Sequence, residues 1–313
     1  VLIGTAVSDT LIGGGGSDVI LGWGGDDTIT VGGNNGAAFT TTVNGGAGID
    51  TLNISYSGIT GLGDFTLGYS NDSLIMTDAN GGVINASSIE NLYVNDKQYV
   101  LYLSASSVNN PGWSIWAPTE KVLYGVPGLA NGYGGSFSPR NLNNLSGFNP
   151  LSDNFNYIGS SGYDDLNLNI SRSSFLGHLN VDTGGGNDVI YSAKLINGDS
   201  INLGSGDDTI YVMSSNLAGL SLSTFDGGLG NDTLAFEESS ISTGQEITLN
   251  TGGAIGFENL RGSSASEVLK GDSGNNIIYG LGGTDTIYGY EGNDTLYANN
   301  GDSYVTNLSE NDV

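Results

Sequence analysis

A nine-residue period runs through this chain and limits its possible folds more than any other feature. Near the C-terminal end the sequence reads GDSGNNIIY (271–279), GLGGTDTIY (280–288) and GYEGNDTLY (289–297), preceded by a worn copy, GSSASEVLK (262–270). Near the other end it reads GTAVSDTLI (4–12), GGGGSDVIL (13–21) and GWGGDDTIT (22–30). Single copies stand between: GGAGIDTLN (45–53), GSSGYDDLN (159–167), TGGGNDVIY (183–191), LGSGDDTIY (203–211) and GGLGNDTLA (227–235). The shared pattern is G-G-x-G-x-D-x-U-x, where U is a large aliphatic residue.

Each part of the pattern has a physical reading. Position eight is always Leu or Ile, flanked mostly by Thr, Val, Tyr or Ile. Three such residues make a short strand whose central side chain points inward. The six residues before it must turn tightly, and Gly tolerates the positive φ that tight turns need. A turn with so little side chain exposes backbone carbonyls, and an Asp closes it at position six. Carbonyl and carboxylate oxygens around a tight loop are ligands for a hard cation, Ca²⁺ before Mg²⁺, which demands a stiffer octahedron. Zinc is disfavoured, because the chain has no Cys and a single His.

The pattern resembles the repeats-in-toxin (RTX) nonapeptide over residues 4–53 and 159–297, with gaps. The resemblance implies a parallel β-roll binding several Ca²⁺ ions in its turns. The fold expected is all-β, a right-handed parallel β-roll or β-helix with one insertion. The expected metal ligands are the position-six residues Asp9, Asp18, Asp27, Asp50, Asp164, Asp188, Asp208, Asp232, Asp285 and Asp294, with Asn276 in the same place. Joining them is the backbone of the turn glycines Gly14, Gly16, Gly25, Gly46, Gly48, Gly184, Gly186, Gly206, Gly228, Gly230, Gly274, Gly283 and Gly292.

Two half-coils of nine residues make an eighteen-residue coil, so turns eighteen apart should stack. Asp9 with Asp27, Glu267 with Asp285, and Asn276 with Asp294 are such pairs. Asp27, Asp285 and Asp294 rank above Glu267 and Asn276, since Glu is longer and Asn neutral. Asp18 finds only Gly36 at that spacing. The interior acids Asp164, Asp188, Asp208 and Asp232 are spaced for one enlarged coil each and should form a single column.

Five segments are expected: N-terminal repeats over 1–53, non-calcium β-coils over 54–104, an irregular aromatic insertion over 105–158, an enlarged-coil helix over 159–261, and tandem repeats with a tail over 262–313. The echo between IENLYV (89–94) and FENLRG (257–262) suggests two coils without calcium. The insertion carries Trp113, Trp116, Tyr124, Tyr133, Phe137, Phe148, Phe155 and Tyr157. It can be a small local core or an exposed aromatic surface for carbohydrate or a partner.

Charge narrows the function. Seven Lys+Arg against 33 Asp+Glu give a net charge of −26. That leaves no basic patch for nucleic acid and disfavours anionic membrane surfaces. No apolar run is long enough to insert in a membrane. Compacting this charge is self-repelling, and divalent ions would offset it. Hence the chain is expected to unfold in chelator and fold with calcium. His178 stands alone, with no HExxH or GxSxG pattern, so no enzyme is expected. Tyr157, His178, Arg140 and Arg172 could be conscripted for lyase chemistry, but no spacing recommends them. The expected role is a secreted structural protein of a bacterial surface (surface layer, sheath or adhesin), exported by type I secretion. It would associate with itself or with other surface components, polysaccharide among them. The alternatives are a calcium-folding module of a larger secreted enzyme and a carbohydrate-binding surface protein. The chain is expected to be a piece of something longer.

Overall fold

The computed structural model describes residues 1–70, 73–104, 112–126, 133–137, 147–168, 175–193, 196, 198–212, 224–236, 243–250, 254–298 and 304–306. Apart from one 3₁₀ turn at Leu62–Asp64, the regular elements described are strands. The chain divides into two compact units: residues 1–136 with 145–147, and residues 137–144 with 148–313.

In the first unit, alternate half-coils feed two facing parallel sheets. One stacks Leu2–Ile3, Val19–Leu21, Thr40–Asn44 and Val83–Ser87. The other stacks Thr10–Gly14, Thr28–Val31, Thr51–Ile54 and Asn91–Val94. Register places the position-eight aliphatics one above another: Leu11, Ile29, Leu52 and Leu92 in one row, and Leu2, Ile20, Val43 and Ala86 in the facing row. Ile20, Ile29, Val43 and Leu52 are fully buried. A three-residue strand cannot hold itself, so these rows hold the coil, at about 1.5–3 kcal/mol per buried aliphatic side chain.

Both sheets of this unit end in antiparallel strands rather than in further coils. Phe65–Ser70 and Ser73–Asp78 pair antiparallel and join Val83–Ser87. Lys97–Ser104, Gly112–Ala117 and Val122–Val126 form a meander on Asn91–Val94. The expectation of parallel coils throughout 54–104 is therefore corrected. At Val94 the chain reverses through Asn95 and Asp96, both at positive φ (48° and 64°), a two-residue hairpin turn. The meander also replaces the irregular structure expected at the start of 105–158. Trp116 and Tyr99 are fully buried and Tyr124 is nearly so, which makes this part a local core. The side chain of Trp113 and residues Pro111, Pro127 and Pro139 lie outside what is described.

The second unit repeats the parallel design. One sheet stacks Tyr163–Asn167, Val189–Ala193, Thr209–Val212, Thr233–Phe236, Asn259–Arg261, Ile277–Tyr279 and Thr295–Tyr297. Its inward row runs Leu166, Ile190, Ile210, Leu234, Leu260, Ile278 and Leu296. Facing it are first Phe155–Ser160, Leu179–Gly184, Ser200–Asn202, Thr224–Asp226 and Ala254–Ile255. Then come Glu246–Thr248, Val268–Lys270, Thr286–Tyr288 and Tyr304–Thr306. Phe148, Phe155 and Phe175 pack together at the start of this unit.

Candidate functional site

The strand register brings the position-six residues into columns, and hydrogen bonds tie each column together. A backbone N–H at position six donates to the position-six side chain of the next coil. In the first unit Asp9 N donates to Asp27 Oδ1 (2.8 Å), Asp27 N to Asp50 Oδ1 (2.8 Å), and Asp50 N to Glu90 Oε2 (2.7 Å). In the second unit Asp164 N donates to Asp188 Oδ1 (2.7 Å), Asp188 N to Asp208 Oδ1 (2.6 Å), Asp208 N to Asp232 Oδ1 (2.8 Å), and Asp232 N to Glu258 Oε2 (2.8 Å). Asn276 N reaches Asp294 Oδ1 in the same row, and Glu267 N reaches Asp285 Oδ1 on the facing sheet, both at 2.9 Å. The four interior acids thus share one column, as their spacing suggested.

Position five runs a second ladder in the opposite sense, which the repeat pattern alone did not reveal. Here the later coil's N–H donates to the earlier coil's side chain. Asp26 N donates to Ser8 Oγ, Ile49 N to Asp26 Oδ1, Asp207 N to Asn187 Oδ1, Asn231 N to Asp207 Oδ1, and Asn293 N to Asn275 Oδ1, at 2.8–3.2 Å. The signal was available: position five is mostly Ser, Asp, Asn or Thr, short side chains that bond to nearby backbone.

The turns stack as closely as the strands. Gly25 N donates to Ala47 O (2.9 Å), Gly186 N to Ser205 O (2.8 Å), and Gly206 N to Leu229 O (2.8 Å). Position four is left-handed at Gly16, Gly25, Gly48, Gly186, Gly206, Gly230, Gly283 and Gly292. A Cβ at Gly206 would overlap the Gly186 carbonyl, so glycine is needed there for space as well as for φ. Position two is left-handed at Gly14, Gly46, Gly184 and Gly228, and also at Trp23, Leu281 and Tyr290. Gly274 has no positive φ, nor do Val7, Gly162 and Ala265, all at position four.

The columns carry charge where water cannot reach. Asp27, Asp50, Asp164, Asp188, Asp208, Asp232 and Asp285 are at most 1% exposed. Oδ2 of Asp27, Asp50, Asp208 and Asp232 is buried without a hydrogen bond. Burial pushes the Asp188 carboxyl up to about 8, Asp232 to about 7 and Asp208 to about 6, with the neighbouring acids adding to it. Asp50 is raised too, first by burial and then by Asp27 and Glu90. A naked buried carboxylate costs several kcal/mol and needs a partner of opposite charge.

The position-one glycines show which oxygens gather beside these carboxylates. A Cβ on Gly22 would overlap both Asp27 Oδ2 and the Gly45 carbonyl oxygen. One on Gly159 would overlap Thr183 O and lie 2.6 Å from Asp164 Oδ2. At each such glycine a carboxylate oxygen and the next coil's carbonyl oxygen come together around the Cα, which leaves no room for a side chain and gathers oxygen ligands in one place. Oxygen-only cradles of this kind suit a hard cation, so the residues present fit calcium.

Other expected residues fall elsewhere. Asp18 is in register with Thr41, not with Gly36, because the intervening coil has 23 residues; its N–H donates to Thr41 Oγ1 (3.2 Å). Asp18 therefore has no acidic neighbour in its row. Glu90 and Glu258 stand at position six in the two coils read as lacking calcium. Their turns are three residues long, which hid them from a nine-residue template. Tyr157 is buried and donates to Asp164 Oδ1 (3.0 Å), closing the head of its column. His178 lies 3.8 Å from Asp199 Oδ1. Arg140 and Arg172 lie outside the described residues.

A parallel solenoid with stacked acid-and-glycine turns defines a repeat protein whose repeats are the binding elements. Residues 3–38, 197–216, 224–235, 261–296 and 270–305 match the RTX calcium-binding nonapeptide repeat (4 copies). The chain carries RTX repeats over these stretches, and repeats of this kind bind Ca²⁺. No curated protein matches the chain. Among solved structures, the extracellular lipase LipA from Serratia marcescens aligns at 16% identity with a TM-score of 0.24, over 86% of this chain and 32% of the lipase chain. Among the described residues, no helix is long and apolar enough to cross a membrane.

Proposed function

We propose that this chain is a secreted structural protein of a bacterial cell surface that folds when Ca²⁺ fills its turns. The observation that carries this reading is the set of buried, unpartnered carboxylate oxygens on Asp27, Asp50, Asp208 and Asp232. The ligands would be the position-six acids together with the turn carbonyls of the adjoining coils. Calcium supplies positive charge between coils that otherwise repel. The protein's own residues hold the spacing through the strand register and the two side-chain ladders.

Export follows from the same chemistry. In the low-calcium cytoplasm the acid columns keep the chain open; outside, calcium closes it. A net charge of −26 and the column-lined solenoid support a structural role over a catalytic one. Self-association through acidic faces bridged by calcium extends the reading to a layer or sheath. Far-ultraviolet circular dichroism tests the folding step: a β signal in millimolar calcium and a largely unfolded spectrum in chelator. Identical spectra would refute it. Electron microscopy of the calcium form tests the structural role, with ordered sheets or filaments expected rather than single particles.

A further inference from the structure

Each long acid column reaches a coil that has no nonapeptide, and both do so in the same way. In the first unit, Val83–Ser87 passes to Asn91–Val94 through Ser88, Ile89 and Glu90 alone. In the second, Ala254–Ile255 passes to Asn259–Arg261 through Gly256, Phe257 and Glu258. Both turns start in the left-handed region, Ser88 at φ 50° and Gly256 at φ 71°. Both end in a glutamate whose Oε2 accepts the preceding acid's N–H, at 2.7 and 2.8 Å. A three-residue turn brings the backbone around sooner than a six-residue one, and the extra methylene of Glu extends the carboxylate to the place an Asp takes elsewhere.

These turns also bring a carbonyl oxygen beside the buried acid of the coil before. A Cβ at Gly45 would overlap Ser88 O and lie 2.5 Å from Asp50 Oδ2. At Gly227 it would overlap Gly256 O. At Gly45 these are the oxygen types that come together at Gly22 and Gly159; at Gly227 the carbonyl oxygen lies that close, with Asp232 beside it through its Cβ. Asp50 and Asp232 are 0% exposed, and the Oδ2 of each accepts no hydrogen bond. A hydrogen-bond acceptor alone would not need a charged side chain here: next to an already buried acid, Glu adds repulsion that a neutral Gln would avoid. A divalent cation removes that repulsion.

Building on the calcium reading above, we propose that Glu90 and Glu258 are metal-ligating residues. Each closes a divalent-cation site with the nonapeptide before it: Asp50, Ser88 O and Glu90 in one unit, and Asp232, Gly256 O and Glu258 in the other. The Glu turn thus ends a run of repeats without leaving its last acid unneutralised.

The test is calcium counting on the whole chain by equilibrium dialysis and calorimetry, comparing wild type with Glu90→Gln, Glu258→Gln and the double variant. Gln keeps the oxygen that accepts the N–H and removes the charge. The expected result is one tight ion fewer, or one ion weakened at least tenfold, in each single variant, and two in the double. Unchanged number and affinity in all three would show that Glu serves only as an acceptor and would overturn the proposal. Anomalous scattering from wild-type crystals grown with calcium and soaked in terbium provides a readout that needs no variant. A peak between Asp50, Ser88 O and Glu90 is expected, and its absence, with peaks at the other turns, refutes the site. Wild type that binds no calcium at all would instead sink the broader reading.

Discussion

Replacing Asp188 by Asn separates the two things a buried carboxylate does in a column. Without metal the charge is a burden. Its folded pKa of about 8 stands well above the 3.8 of a free Asp. A group raised on folding contributes stability that is intact below the unfolded pKa and lost as pH rises through the folded one. For Asp188 that window runs from about pH 4 to about pH 8. At about 1.4 kcal/mol per pKa unit, the loss approaches roughly 5 kcal/mol by pH 7.5. Asp232 and Asp208 face losses of roughly 4 and 3 kcal/mol on the same scale. Protonating one acid relieves its neighbours, so the total is smaller than three separate losses. Even so, it rivals the whole stability of a domain, about 5–15 kcal/mol.

Asn removes the charge and keeps Oδ1 for the Asp164 N–H. The same row shows that the amide can be accommodated, since Asn276 Nδ2 donates to Glu258 O at 3.1 Å. In chelator, the Asp188→Asn chain should keep its β signal to higher pH than wild type, by about one pH unit or more if the gain is ~4 kcal/mol. In millimolar calcium at pH 7.5 the order should reverse, because a ligand is gone and the melting temperature falls. Circular dichroism from pH 8 to pH 5, with and without calcium, reads both. A variant that is less stable than wild type in both conditions would refute the reasoning, since Asp188 would then act through packing alone.

Further outcomes follow from particular residues. Wild type in chelator should regain β structure as pH falls from 7.5 to 5, because protons replace metal on Asp188, Asp232 and Asp208; a flat spectrum over that range counts against the buried charges. Trp23→Gly relieves a left-handed φ of 81° on a 69%-exposed side chain and should be neutral or stabilising by up to about 1 kcal/mol in calcium melts. Gly206→Ala puts a Cβ into the Gly186 carbonyl at a φ of 134° and should cost more than about 2 kcal/mol, with calcium binding weakened at the neighbouring turns. Tyr157→Phe deletes the donor to buried Asp164 and should cost about 1–3 kcal/mol in the second unit's melt.

The column of Asp164, Asp188, Asp208 and Asp232 was legible because parallel stacking keeps like residues in register whatever the coil length. The stacking partner of Asp18 was misplaced because that argument needs the length of each coil, and residues 31–39 carry no mark of where the wall resumes. Glu90 and Glu258 escaped because their turns share no glycine spacing with the repeat; only the echo of IENL and FENL pointed to them. The antiparallel strands after Asn95 escaped because alternation reads alike in parallel and antiparallel strands. Only the Asn95–Asp96 pair, a hairpin signal, distinguishes them.

Along the acid columns, successive position-six partners are 18, 20, 23, 24, 26 or 40 residues apart, yet each makes the same contact. The number of residues between one contact and the next therefore varies without shifting the wall by a single step. Such a frame accepts grafts. A foreign epitope or affinity tag spliced into one connection should be carried at a fixed height on the molecule, and several could be hung in a row at the pitch of the sheet.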